Sequence, residues 1–109
     1  MDFVGKSCVV VGAGESGLAA AELLLARGAS VTVNDRRTRA ELAARASRVE
    51  GRARFVLESH DAAIFAGANL VVVSPGVPPL AVLDQIEAEG VEVIAEVELA
   101  ARLLSGVLV

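Results

Sequence analysis

Short runs with no polar face alternate along the chain with longer stretches whose apolar residues recur every three or four positions. Cys8-Val9-Val10-Val11 and Leu70-Val71-Val72-Val73 are the clearest runs. Both sides of their pleat are apolar, as expected of strands covered on two faces. Val31-Thr32-Val33, Arg54-Phe55-Val56 and residues 91–94 add three more. The first helical stretch carries Leu18, Ala21, Leu24 and Leu25, with Ser16 placed to cap its start. Arg27 and Gly28 stop it, a cation at the end and a glycine just beyond. Thr38-Arg39-Ala40-Glu41 has the spacing of a capping box, so a second helix is predicted to run to about Val49. A weak helix around residues 61–66 closes at Gly67. Another starts at Pro79, a residue suited to a first turn, and ends at Gly90. The last pattern covers residues 96–104.

Strands separated by helices of this length form βαβ units with right-handed crossovers. The pattern therefore predicts an α/β chain, a Rossmann-like parallel sheet of about five strands with helices on both faces. After Ser105-Gly106, Val107-Leu108-Val109 opens another apolar run. The expectation is a piece of a longer protein, with residues 1–95 as one domain and 96–109 as the helix and first strand of the next.

Composition narrows the function. At 109 residues the chain suits one core, and its 54% hydrophobic content comes mainly from Ala, Val and Leu, the residues of buried parallel strands. Phe3, Phe55 and Phe65 are the aromatics, with no Trp or Tyr, and the net charge is −4. Stacking on bases and attraction to phosphate backbones are both disfavoured, so no nucleic-acid partner is expected. Cys8 is alone, which rules out an internal disulfide and suits a reducing, cytoplasmic setting. The first residues lack a signal-peptide pattern. The greasiest stretch, residues 18–26, is broken by Glu22 and too short to span a bilayer, so no membrane partner is expected.

Candidate chemistry is concentrated in two loops. Gly12-Ala13-Gly14-Glu15-Ser16-Gly17 matches G-x-G-x-x-G between a strand and a helix. Gly12 permits the tight turn, Gly14 lets backbone approach a phosphate, and Gly17 allows the helix to pack closely on the sheet. The helix N-terminus then offers free N–H groups and partial positive charge to an anion. This predicts a diphosphate site without naming the nucleotide. Asp35 ends the second strand, where the acid of a dehydrogenase accepts from the ribose hydroxyls of NAD. As a strand-end acid facing a crevice, it is expected to serve a ligand and to support no core. Arg36 and Arg37 suit a phosphate or a base carbonyl. Ser74-Pro75-Gly76 follows the fourth strand and should face the same crevice, its Gly permitting close backbone approach. Cys8 reads as a small core residue, and His60, among Glu58, Ser59 and Asp61, as a wet loop rather than a metal ligand. Glu96 and Glu98 suit the start of a helix. Catalytic residues are not expected in this chain: no Ser/His/Asp set, metal cluster or P-loop stands out. A cofactor is not expected in it either.

Five segments together resemble the Mur ligases, nearest to their D-glutamate-adding branch. They are Gly12-Ala13-Gly14-Glu15-Ser16-Gly17-Leu18-Ala19, Ala26-Arg27-Gly28-Ala29, Val31-Thr32-Val33-Asn34-Asp35-Arg36, Val73-Ser74-Pro75-Gly76-Val77-Pro78 and Glu96-Val97-Glu98-Leu99 with the strand before it. Ser-Pro-Gly-Val-Pro and Glu-Val-Glu-Leu are the most specific, because dehydrogenases do not pair them with the glycine loop. The loop after Ser74-Pro75-Gly76 is shorter than usual for the family. The resemblance implies a domain that binds the UDP part of UDP-N-acetylmuramoyl-L-alanine. Glu15 and Ser16 would meet the diphosphate through their backbone, with the Glu15 side chain in solvent. Asp35, Arg36 and Arg37 would meet uracil and ribose, with Gly76 nearby. It also implies peptidoglycan synthesis by remaining domains in cis, which would use ATP and Mg to activate the substrate carboxylate. The alternative is an NAD(P)- or FAD-binding domain of a dehydrogenase or of a cofactor-sensing regulator.

Overall fold

The apolar runs become strands because neither of their faces can be left to water. In the computed structural model, which describes residues 3–105, Cys8 and Val10 join the core on one side of a sheet and Val9 the core on the other. The elements follow in the order β1 (Ser7–Val11), α1 (Glu15–Ala26), β2 (Ser30–Asp35), α2 (Arg39–Ala46), β3 (Arg54–Leu57), a 3-10 turn (Ala62–Phe65), β4 (Leu70–Val73), α3 (Ala81–Ala88), β5 (Glu92–Ala95) and α4 (Glu96–Ser105). Among the described residues five strands form one sheet in the order β3-β2-β1-β4-β5, every pair parallel. The α/β, Rossmann-like architecture read from the sequence is the one observed.

The strand order sets the layers. Stepping from β1 to β2 to β3 puts α1 and α2 on one face, and reversal to β4 and β5 puts the 3-10 turn and α3 on the other. On the first face Leu18 and Leu24 of α1, Leu42 of α2 and Leu99 of α4 pack over Cys8, Val10, Val33 and Val72. On the second, Phe65 and α3's Leu83 and Ile86 pack over Val9, Val11 and Val71. Each large apolar side chain buried in this way stabilises the fold by roughly 1.5–3 kcal/mol. The reversal between β1 and β4 opens a crevice at the carboxyl ends of those strands, where open α/β sheets bind ligands.

Several boundaries differ from the sequence pattern for local reasons. Ser16 is not a cap: Gly14 stands at the N-cap of α1 in an extended conformation, with no side-chain cap bond. α2 carries the expected capping box, Thr38 accepting from the Glu41 amide and Glu41 from the Thr38 amide, but it ends at Ala46. Its last turn tightens there, the amides of Arg48 and Val49 donating three residues back to Arg45 and Ala46. The weak helix near residue 61 is a single 3-10 turn, capped by Asp61 and closed by Gly67 at φ 77°. Pro79 lies outside α3, because Leu80 stays extended at the N-cap and packs into the second core. The strand expected at Val107-Leu108-Val109 lies outside the described residues.

Candidate functional site

Glycine builds the meeting point of the two loops. Gly12 sits at φ 101°, and a Cβ there would come within 2.8 Å of both Ser74 Cβ and Val77 Cγ2. Any side chain would force the β1 and β4 loops apart. Gly17 is more constrained still, since a Cβ would fall 1.7 Å from the Gly12 carbonyl oxygen, so α1 starts in contact with the turn. At Gly14 and Gly76 a Cβ would meet nothing within 4 Å. These two face open space instead.

That space is an open cleft of about 470 Å³. Seven of the expected residues line it: Gly12, Gly14, Asp35, Arg36, Arg37, Ser74 and Gly76. Glu15, Ser16 and Gly17 do not. They form the first turn of α1, whose leading N–H groups the helix itself leaves unused, and Glu15 is exposed. Ser16 turns to Glu96: burial pushes the Glu96 carboxyl up, and a hydrogen bond from the Ser16 side chain opposes that shift.

Asp35 is placed differently from the acid the sequence suggested. It is 5% exposed, and its carboxylate is already engaged by the protein. Oδ2 accepts from the Ala13 amide at 2.7 Å and from Arg37 Nη2 at 2.8 Å, while Oδ1 accepts from the Arg37 amide and Nε. Burial works to raise its pKa, but the Arg37 side chain and the two amides outweigh it and hold the group at about 2. The expectation that Asp35 supports no core is therefore corrected. This carboxylate ties the glycine loop to the end of β2 and fixes the Arg37 guanidinium at the rim, because an anion leaving water this far requires its full set of donors. Arg36 is exposed on the cleft wall with no ion-pair partner among the described residues.

The sequence reading missed His60, Val77, Pro78 and Leu80 on the walls, and Asn34 beneath them. Parallel pairing of β3 with β2 carries the loop after β3 to the end of β2, which brings His60 onto Asn34 and into the cleft that Asp35 also lines. Only the strand order could have revealed that. Cys8 is the core residue expected: it is fully buried, burial pushes its thiol up to about 11 despite Lys6, and no thiolate nucleophile forms there. Among the described residues no three His, Cys, Asp or Glu side chains are grouped to hold a metal ion, and no helix is long and apolar enough to cross a membrane.

The family profile described as Mur ligase MurD-like, N-terminal domain, matches residues 6–95. The chain belongs to that family. The UDP-N-acetylmuramoylalanine–D-glutamate ligase of Syntrophotalea carbinolica is 46% identical over 99% of the chain and 24% of its own length. The ligase of the same name from Anaeromyxobacter dehalogenans is 47% identical over 96% of the chain and 23% of its own length. The MurD-like chain thus spans about a quarter of the length of the curated relatives it matches. Among solved structures, the precorrin-2 dehydrogenase SirC aligns with a TM-score of 0.62 at 21% identity, covering 86% of this chain and 45% of the other. Shikimate dehydrogenase from Aquifex aeolicus aligns at 0.57 and 15%, covering 87% and 44%. At such identities these two establish the fold alone.

Proposed function

We propose that the chain is the uridine-nucleotide-binding part of a D-glutamate-adding ligase of peptidoglycan synthesis, holding the UDP portion of UDP-N-acetylmuramoyl-L-alanine in the cytoplasm. The observation that carries this reading is the close approach of the Ser74–Val77 loop to Gly12 at the cleft, since Ser-Pro-Gly-Val-Pro beside a glycine loop is the pairing by which the sequence resembles the Mur ligases. In the proposal, the unused N–H groups of Glu15, Ser16 and Gly17 and the open backbone at Gly14 take the diphosphate. Arg36 and the rim guanidinium of Arg37 meet the nucleoside or its phosphates, and Ser74 and Gly76 form the opposite wall. Asp35 acts through the Ala13 amide and Arg37. The NAD reading needs a free acid at the end of β2, and here that acid is engaged on both oxygens.

The remaining ligase domains in cis are proposed to carry the ADP-forming chemistry, with ATP and Mg. Residues 1–95 are proposed as the nucleotide domain and 96–109 as the lead into the next. Titration calorimetry of the chain with UDP and with NAD tests the reading. Weak UDP binding is expected, because much of the substrate's contact surface lies in other domains. Tight NAD binding with no response to UDP would overturn it.

A further inference from the structure

β5 runs into α4 without a loop, so Glu96, the first residue of α4, stands at the carboxyl ends of the parallel strands, on the same edge as the glycine turn after β1. Its carboxyl meets two different surroundings. Ser16, in the first turn of α1, gives it a side-chain hydrogen bond. Oε2, by contrast, is buried and has no hydrogen-bond partner among the described residues. The hollow beside Glu96 is apolar, lined by Val73 of β4, Pro75 beyond it, and Ala95, Val97 and Ala100. The charged residues of the adjoining elements are engaged elsewhere or exposed. Glu92 of β5 and Glu98 of α4 both pair with Arg102, and Glu15 of α1 is exposed.

A buried carboxylate oxygen without a donor disfavours the charge, and burial does push the Glu96 carboxyl up. The hydroxyl adds a second constraint. Serine has one side-chain hydrogen to donate, and while Glu96 is ionised that hydrogen is spent on it. Ser16 can then offer an anion at the start of α1 its N–H but not its hydroxyl. A diphosphate there also stands about one serine from the carboxylate. At about 6 Å, one negative charge strengthens proton binding on the order of a hundredfold. A single proton removes both obstacles. Protonated Glu96 donates to the Ser16 oxygen, and the Ser16 hydrogen is released for a phosphate oxygen. We propose that Glu96 is a proton-linked positioning residue of the anion site: when a diphosphate binds, Glu96 takes one proton from solvent and its hydrogen bond with Ser16 reverses.

This inference rests on the uridine-nucleotide reading, and its test separates the two. The chain and Glu96→Gln are titrated calorimetrically with UDP-glucose. Its diphosphate is esterified at both ends, so it lacks the ionisation that a terminal phosphate shows near pH 6. The parent chain should bind about tenfold more weakly at pH 7 than at pH 5, because an ionised Glu96 must first take its proton. Glu96→Gln, neutral throughout, should bind about threefold to tenfold more tightly than the parent at pH 7 and approach it at pH 5. A residue that merely supports the fold would give a loss instead. Titrations in two buffers of different protonation enthalpy should show proton uptake by the parent that the variant lacks. His60, which lines the cleft and titrates in this range, is present in both proteins, so the difference belongs to Glu96. Adding Ser16→Ala to Glu96→Gln should remove most of the gain, the signature of coupling through the hydroxyl. If Glu96→Gln shows no gain at pH 7, or takes up as many protons as the parent, the inference falls while the uridine reading stands. If the parent chain binds neither UDP nor UDP-glucose at either pH, both fail.

Discussion

Taking the charge from Asp35 should act on the fold before it acts on any ligand. Asp35→Asn leaves the Arg37 guanidinium and the Ala13 amide with a weaker acceptor inside a buried site. We expect a loss of about 2 kcal/mol in denaturant unfolding. The pH dependence has a definite sign. The folded pKa, about 2, lies below the ordinary value of 3.8, so the carboxylate stabilises the fold fully above pH 4. That contribution, about 2 kcal/mol, is lost as pH falls through the folded pKa. Acid titration of stability should therefore show a decline between about pH 4 and pH 2 that is blunted in Asp35→Asn. An unchanged acid limb in the variant would mean that Asp35 is not held as described. The residue type and its place at a strand end were legible in the sequence. Its partners were not, because Ala13 lies 22 positions away and meets it only when β1 and β2 pair.

At the scale of elements, α2 shows how local signals and tertiary contacts divide the work. Its capping box was readable from four consecutive residues and is present, because its bonds need no distant partner. Thr38→Ala should cost about 1 kcal/mol in thermal or denaturant unfolding, and Thr38→Ser much less. Equal losses in the two variants would show that the hydroxyl is not what matters. The early end of α2 was not readable, since Val49 belongs to the core and continues the apolar spacing although the helix has already tightened. α3 makes the same point at its start. Pro79 is a sound first-turn residue locally, but burial of Leu80 in the second core keeps the chain extended for one residue more.

For the whole molecule, the informative element is α4. The family profile stops at residue 95, yet Leu99 of α4 is 1% exposed and packs in the same core as Leu18 and Leu24 of α1. Whatever α4 leads into, it contributes to the stability of this unit. Leu99→Ala should destabilise the chain by roughly 2–4 kcal/mol, the cost of emptying a buried leucine site, measured by chemical denaturation. Val97, on the same helix but 76% exposed, serves as the control, and Val97→Ala should cost little. If Leu99→Ala proved as mild as Val97→Ala, α4 would be an appendage rather than part of the core.

The sequence by itself determined the alternation of strands and helices, the parallel sheet, the glycine turn and the family. Those properties live in neighbouring residues: side-chain period, backbone permissiveness at Gly12 and Gly17, and the order of short motifs. Tertiary structure alone decided which polar groups face a ligand and which face the protein. Pairing of β1, β2 and β3 brought Ala13 and Arg37 onto the Asp35 carboxylate, and brought His60 onto Asn34. A carboxylate or an imidazole presents no fixed role along the chain, because its role depends on which lone pairs and hydrogens remain after folding has satisfied the rest.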